Sequence, residues 1–221
     1  MLSSVLEGLA RFAHLINVDF FNDLLNVLKQ ISLDQYNAYL QGNTDSAYRG
    51  TKNALHCIIA AFQLLSGQGE ALNIDLKDFY TSMYTQILRL PMDSIAWISG
   101  SNMIKEAEST PSIHMEAISK SEMELLLFGF ELMFYRKKQV PLERVTAFVK
   151  RLSTMAMFVS PNAVLACLSM IRSLLIRFPK LDSLFDIEGR MGTGVYKPFL
   201  DDPELCDAST TNLWEICTLM V

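Results

Sequence analysis

The residues of this chain that could serve as catalysts or metal ligands are few and widely separated. His14, His56 and His114 have no second histidine, and no cysteine, at the spacing that a zinc site requires. No arrangement of Ser, His and Asp, or of Cys and His, suggests a nucleophile beside its base. The sequence therefore predicts no catalytic residue and no metal site, and it predicts ordinary structural roles for the histidines.

Glycine-rich and acidic stretches are the next places where ligand chemistry is conceivable. The run Gly189–Gly194 lacks the GxxxxGK[ST] order of a Walker loop, and it does not join a strand to a helix as a dinucleotide loop does. The stretch Ser66–Gly69 separates two helical segments and is interpreted as a turn. An acidic cluster lacks the alternating ligands and central glycine of a calcium loop: Asp201, Asp202, Glu204 and Asp207. We therefore predict turns, a solvated or helix-capping acidic loop, and no cofactor.

Basic residues form only a few groups, each near the end of a helical segment. The chain has 19 basic and 24 acidic residues, a net charge of −5, so a chain-wide electrostatic attraction to RNA or DNA does not follow. Because antiparallel helices bring such ends together, a local RNA-facing patch is one interpretation, and ordinary solvated helix ends are the other. The candidate RNA-facing residues are Arg136, Lys137, Lys138, Lys150 and Arg151, with Arg172, Arg177 and Lys180 as a further group.

The composition is unusually apolar for a chain without a membrane segment. Half of the residues are hydrophobic and the mean hydropathy is +0.21, yet no apolar run reaches the roughly 18 to 20 residues of a membrane-spanning helix. The excess apolar surface must face a core, another chain or a missing part of the same chain. Four cysteines form no CxxC pair, which predicts reduced, buried thiols in an intracellular protein: Cys57, Cys167, Cys206 and Cys217.

The elements that must position these residues are helices, because apolar residues recur at spacings of three and four. Expected core faces in the first half are Val5, Leu9, Phe12 and Ile16; then Phe20, Leu24, Val27 and Ile31, after Asp19 as N-cap; then a helix over 44–65; then Leu76, Phe79, Met83, Ile87 and Leu90. The pattern stops at Pro91. Residues 91–119 are rich in small polar residues and are predicted to form a long loop or a disordered insertion.

Helical spacing returns after Ser121 and continues to Phe178. The expected faces are Leu125, Phe128, Leu132 and Tyr135; Leu142, Val145, Val149, Leu152, Ala156 and Val159, beginning at Pro141; and Val164, Leu168, Ile171, Leu175 and Phe178, after Ser160-Pro161. The region 186–210 is irregular and rich in glycine and proline. A short helix around residues 213–220 closes the sequence.

This order of elements predicts an all-α fold. Helices of about 12 to 20 residues joined by short connections suggest an α-solenoid of HEAT- or armadillo-like antiparallel helix pairs with an irregular C-terminal strap. A single irregular helical bundle is the alternative. The expected organisation is helical repeats over 1–90, the insertion over 91–119 and a second helical region over 120–221, all within one continuous domain.

The C-terminal motifs resemble a known family. Gly192–Pro198 leads into Asp201–Ala208, followed by Thr211, Leu213, Trp214 and Glu215. This order is similar to the "GxGxYxP…DDPExxxA…T.LWE" signature of the CCAAT-binding-factor-type domain of nucleolar ribosome-assembly proteins. Within that group, four further segments are similar to the nucleolar complex protein 3 family: Ser4–Asn17, Leu64–Asp75, Arg136–Val140 and Ala147–Leu152.

The resemblance implies a non-enzymatic factor of the nucleus and nucleolus, a protein-binding scaffold in assembly of the large (60S) ribosomal subunit. The implied partners are a nucleolar complex protein 2-like protein and the pre-60S particle, with pre-rRNA or chromatin as further contacts and no membrane or small-molecule substrate. A chromatin-associated factor in the initiation of DNA replication and a generic armadillo-type adaptor are the alternatives. Members of the family are longer at both ends, so we expect a fragment or a shortened gene model.

The segment from Gly192 to Trp214, here called the strap, is expected to lie across the terminal helices and to face a partner. Its predicted inward anchors are Tyr196, Pro198, Phe199, Leu205 and a buried Trp214. Asp201 or Asp202, beside Pro203, is expected to cap a short turn. The candidate partner-binding residues are Tyr196, Asp201, Asp202, Glu204 and Trp214.

Overall fold

The computed structural model describes residues 2–12, 17–40, 44–66, 76–99, 122–136, 140–185 and 194–219. Within these ranges the chain forms helices and no β-strand, so the predicted all-α class is confirmed. The α-helices are α1 (Leu2–Arg11), α2 (Phe21–Leu40), α3 (Thr44–Ser66), α4 (Lys77–Ser99), α5 (Glu122–Phe134), α6 (Leu142–Ala156), α7 (Pro161–Arg177) and α8 (Trp214–Leu219). Short 3-10 helices span Val18–Phe20, Pro179–Leu184 and Ala208–Thr210.

Successive helices pack against one another, as in a solenoid-like fold. Helix α2 lies on α3, α3 on α4, and α6 on α7, while α3 also contacts α1 and α5 and α6 contacts α4. One continuous apolar core extends from Leu6 in α1 to Leu213 at the end of the strap. The C-terminal segment is therefore packed onto the same core as the helices.

The faces predicted for α4 and α6 are the ones that enter the core. Every predicted core residue from Leu76, which directly precedes α4, to Leu90 is buried. Phe148 of α6 is the centre of an aromatic cluster, and its ring centroid lies 5.2 to 6.3 Å from those of four neighbours: Tyr80, Tyr84, Phe130 and Phe134. Such edge-to-face and tilted contacts stabilise a core beyond the area that they bury.

A glycine allows α5 to lie close to α4. A Cβ atom at Gly129 would meet Cε of Met83 in α4, and α3 contributes Cγ1 of Ile59 at 3.9 Å. Sequence periodicity does not reveal this contact, because a glycine adds nothing to an apolar pattern.

The faces predicted for α1 and α2 are correct only in part: Leu9, Leu24 and Ile31 are half-buried and pack against the core, but other predicted residues do not. Phe20 and Val27 are exposed, and α2 instead buries Phe21, Leu25 and Leu28. Phe20 belongs to the preceding 3-10 turn, where the Asp19 backbone N–H donates to Oδ1 of Asn17, so Phe20 is out of phase with α2. In α1, Leu6 is buried while Val5 and Phe12 are exposed; Ile16 lies outside the described residues.

The predicted start of the insertion at Pro91 is wrong, because residues 91–99 are helical. Helix α4 continues across Pro91 to Ser99, because a proline removes one backbone hydrogen bond without always ending a helix. Residues 100–121, which contain the rest of the predicted insertion, lie outside the described residues.

Candidate functional site

The strap is described from Gly194 onward and forms a closed loop. The backbone N–H of Lys197 donates to the carbonyl of Cys206 at 2.9 Å, and tighter turns form within it, from Leu200 N to Lys197 O and from Leu205 N to Asp202 O, each 3.3 Å. These bonds define the 197–206 loop. After it, Asp207 adopts a left-handed φ of 54°, which Asp tolerates better than most residues, and the chain turns into the 3-10 helix Ala208–Thr210.

Arg151 joins the strap to two helices. Its side chain projects from α6 and is 1% exposed. One guanidinium nitrogen donates to the carbonyls of Pro198 and Leu200, at 2.9 and 2.8 Å, and the other to the carbonyl of Tyr84 in α4, at 2.9 Å. The guanidinium also stacks on the Tyr84 ring, 3.4 Å from its centroid. Burial lowers the pKa of Arg151, but both terminal guanidinium nitrogens have carbonyl acceptors, so Arg151 holds the 197–206 loop in place.

A buried ion pair fixes the far end of the strap. Lys150 of α6 lies 2.6 Å from Oε1 of Glu215 in α8, and the two side chains are 2% and 1% exposed. Lys150 also donates to the carbonyl of Asn212 at 2.7 Å, and the Thr154 hydroxyl donates to Glu215 at 2.9 Å. Burial lowers the pKa of Lys150, while its hydrogen bond to the Glu215 carboxylate opposes that shift. Such a pair is stable only when these hydrogen bonds are complete.

The acidic cluster caps a turn and pairs with two helices. The predicted cap is confirmed at Asp202, whose Oδ1 accepts from the Glu204 backbone N–H at 2.9 Å. Asp202 also lies 3.0 Å from Nζ of Lys77 in α4, and Glu204 pairs with Arg144 of α6. Partial burial alone would raise the pKa of Asp202, but the Glu204 N–H and Lys77 outweigh it and lower the pKa. Asp201, the other cap candidate, lies 3.9 Å from Arg151 and stays half exposed.

The expected aromatic anchors do not enter the core. Trp214 is 49% exposed and Phe199 is 90% exposed, so the prediction of a buried Trp214 is wrong. Pro198 and Leu205 are exposed as well, whereas the strap buries Pro203, Cys206 and Leu213. The reason is that Arg151 and Lys150 hold this segment by its backbone carbonyls, which leaves its large side chains free to face outward.

Tyr196 is the one predicted anchor that lies partly inside. It is half-buried, and burial raises the pKa of its phenol. The Lys150 ammonium lies 5.7 Å from the Tyr196 ring centroid and 5.5 Å from that of Trp214. The two rings therefore flank the buried cation, and Trp214 presents its remaining surface to solvent.

Two of the five candidate RNA-facing residues are buried inside the protein. Lys150 and Arg151 do not face solvent and bind the strap instead, because a charge inside an apolar face must find internal partners. Arg136 is exposed at the end of α5, and Lys137 and Lys138 lie outside the described residues. The expected convergence of helix ends is found here, since Arg177 of α7 donates to the carbonyls of Phe134 and Tyr135.

Sequence reasoning missed the residues that fasten the strap. Lys77, Arg144 and Glu215 were not identified as its ion-pair partners, and the burial of Lys150 and Arg151 was not foreseen. A signal was present, because these two charges lie between Val149 and Leu152, which both belong to the predicted core face of α6. Two adjacent charged residues on a core-facing surface indicate that each has a partner inside the protein.

The cysteines and histidines have the following positions. Cys57, Cys167 and Cys206 are buried and free, as predicted, whereas Cys217 is exposed. His56 is half-buried, while His14, His114 and residues 186–193 lie outside the described residues. No group of three or more metal-binding side chains occurs in the described ranges. No helix in that part of the chain is long and apolar enough to cross a membrane.

Comparison with known proteins agrees with the resemblance in the strap motifs. The CBF/Mak21 family matches residues 54–221. The nucleolar complex protein 3 homologs of Xenopus laevis and Homo sapiens are 40% and 39% identical to this chain over 220 residues, 100% and 99% of its length. Nucleolar complex-associated protein 3 of Schizosaccharomyces pombe is 31% identical over 218 residues, 97% of this chain.

The chain spans only part of these relatives. The alignments cover 23% of the Xenopus and human proteins and 29% of the Schizosaccharomyces protein. Over its own length, however, the likeness includes both the helices and the strap, and the family match covers more than half of the residues. The chain therefore belongs to the CBF/Mak21 family.

Proposed function

We propose that this chain is part of a non-enzymatic nucleolar factor that assists assembly of the large (60S) ribosomal subunit as a protein-binding scaffold. The observation that supports the proposal is the similarity to nucleolar complex protein 3 over essentially the whole chain. The architecture fits that role, because buried charges fix the strap while its large side chains stay on the surface. A preorganised surface binds a partner with less loss of conformational entropy.

The proposed partner is a nucleolar complex protein 2-like protein, bound through the outer side of the strap. The candidate contacts are Tyr196, Asp201, Asp202, Glu204 and Trp214. Asp201 and Trp214 are the most available of these, each about half exposed, whereas Asp202 and Glu204 are engaged with Lys77 and Arg144. We therefore assign the last two mainly to shaping the loop that the partner meets.

A second contact, with pre-ribosomal RNA, is proposed where α5 and α7 end together. Arg177 donates to the carbonyls that precede Arg136, and exposed Lys180 follows in the 3-10 helix. Tyr135 lies under the Arg177 guanidinium, 5.2 Å from ring centroid to Cζ. Basic side chains beside an aromatic ring suit phosphate and base contacts. Because only a few charges meet, binding of the chain alone should be weak and salt-sensitive.

The function is tested by depletion and by purification of the tagged protein. Depletion should lower the amount of free 60S subunits relative to 40S subunits on a sucrose gradient, and the tagged protein should co-purify with large-subunit precursors and their RNA. The variant Arg136→Glu, paired with Lys180→Glu, should reduce RNA recovery without changing protein recovery. An unchanged ratio of the two subunits after depletion would refute the assembly role.

A further inference from the structure

The helix surface beneath the 197–206 loop carries three cations, here called the basic site. Lys77 belongs to α4, and Arg144 and Arg151 belong to α6, where their separation of seven residues places them on one face. Each guanidinium lies over a tyrosine ring of α4: Cζ of Arg144 is 4.1 Å from the Tyr80 centroid, and Cζ of Arg151 is 3.4 Å from the Tyr84 centroid. Because such stacking fixes a guanidinium in place, the basic site is preorganised.

The loop occupies the basic site with its own acceptors. Asp202 and Glu204 both pair with Lys77, and Glu204 also pairs with Arg144, while carbonyls of the loop accept from Arg151. However, Nε of Arg144 and Nε of Arg151 are buried and have no acceptor among the described residues. A buried donor without an acceptor costs free energy. The loop is therefore an incomplete ligand for this site.

Little besides these polar contacts keeps the loop closed. Between residues 197 and 206 only Pro203 and Cys206 are buried, so an open loop would expose little additional apolar surface. The segment that follows the loop is fastened separately, because Lys150 binds both the Asn212 carbonyl and the Glu215 carboxylate. The loop can therefore open while the end of the strap stays packed on α6.

The chemistry of the site indicates which external ligand could displace the loop. An acidic peptide would offer the same carboxylates and carbonyls, but the loop has the high effective concentration of a group in the same chain. An RNA strand carries a phosphate at every nucleotide and releases counterions when cations bind it. Its unstacked bases can also lie against a guanidinium plane. Single-stranded RNA is therefore the stronger competitor.

We propose that the 197–206 loop is an autoinhibitory lid, and that its opening lets the basic site bind the phosphates of single-stranded RNA. The Asp202 and Glu204 carboxylates compete with those phosphates for Lys77 and Arg144. The inference goes beyond the proposed function, because it uses neither the outer side of the strap nor the RNA contact where α5 and α7 end. It also gives the acidic residues of the loop a regulatory role.

The test compares RNA binding by the purified full chain and by the double variant Asp202→Asn with Glu204→Gln, which keeps all three cations. The probe is a short fluorescein-labelled oligouridylate, followed by fluorescence anisotropy at several salt concentrations. At low salt the double variant should bind about tenfold more tightly and with a steeper salt dependence, because more cations meet phosphate. Adding Arg144→Gln to the double variant should remove most of that gain.

A charge-matched control separates the basic site from the net charge of the chain. Asp23→Asn with Asp34→Asn removes two exposed carboxylates of α2, and it should reproduce only a small part of the gain. Equal affinities of this control and the Asp202/Glu204 variant would overturn the proposal. A gain that survives Arg144→Gln would do the same, and so would tighter binding of polyglutamate than of the oligouridylate.

Hydrogen exchange measured by mass spectrometry tests whether the loop opens without unfolding the helices. In the Asp202/Glu204 variant, the peptide that contains the Lys197 N–H, which is bonded to the Cys206 carbonyl, should exchange about tenfold faster than in the wild type. Peptides of α6 around Phe148 should keep their protection. Unchanged exchange in the loop would refute the lid. If the RNA gain is absent and depletion still lowers free 60S subunits, the lid fails while the assembly role stands.

Discussion

Replacing Glu215 with alanine should lower the free energy of unfolding by about 3 to 4 kcal/mol, because it leaves a charged ammonium group inside the protein. Lys150 and Glu215 are 2% and 1% exposed and lie 2.6 Å apart. Removing one partner of a buried pair usually costs about 3 to 5 kcal/mol. The lower part of that range applies here, since Lys150 keeps its hydrogen bond to the Asn212 carbonyl.

The measurement is urea-induced unfolding followed by circular dichroism, with thermal unfolding as a second readout. For a chain of this size each kcal/mol shifts the melting temperature by about 2 to 4 °C, so a shift of roughly 6 to 16 °C is expected. Asp78→Ala is the matched control, because the Lys29–Asp78 pair joins α2 and α4 with 42% and 60% of the two side chains exposed. An exposed pair of this kind contributes about 0 to 1 kcal/mol.

A double variant distinguishes a buried charge from a simple loss of contacts. Lys150→Met combined with Glu215→Leu removes both charges and keeps the apolar volume, so it should recover much of the stability that Glu215→Ala loses. If Glu215→Ala and Asp78→Ala lower the free energy of unfolding equally, within about 0.5 kcal/mol, the Lys150–Glu215 pair does not lie in a dry site. That result would refute the reasoning. A double variant that is less stable than Glu215→Ala would likewise show that the ion pair itself, and not charge burial, dominates.

Three further outcomes follow from burial and charge. Phe148→Ala should lower the free energy of unfolding by about 3 to 5 kcal/mol, because its ring contacts four others, while denaturation of Phe158→Ala should match that of the wild type. In the native protein only Cys217 should react rapidly with a thiol reagent near neutral pH, since burial raises the pKa of Cys57 to about 12 and that of Cys167 to about 11; rapid labelling that persists in Cys217→Ser would contradict this. Because the pKa of Asp202 is lowered in the folded protein, its carboxylate stabilises the fold at pH values above the ordinary pKa of 3.8. That stabilisation is lost as the pH falls through the lower pKa of the folded state. The stability difference between wild type and Asp202→Asn should therefore shrink as the pH falls below about 5, and a difference that grows on acidification would refute the assignment.

Much of the helical framework follows from local sequence. The spacing of Phe79, Met83 and Ile87 predicts the buried face of α4, because a residue every three or four positions returns to one side of a helix. Pro161 marks the first turn of α7, since its missing N–H has no partner to lose there. The same reasoning misplaced Phe20 and the end of α4, where a 3-10 turn changed the phase and the helix continued across Pro91.

The sequence by itself determined the all-α class, the family motifs of the strap and a capping role for Asp201 or Asp202, since each depends on residues near one another in the chain. Only the tertiary structure decided which side chains of the strap are inside. The sequence predicts Lys150 and Arg151 as RNA-facing candidates and Trp214 and Phe199 as inward anchors. The structure reverses both assignments, because the free energy of burying a charge depends on acceptors that lie 47 to 67 residues away. Such partners are brought together only when α4, α6 and the strap have packed.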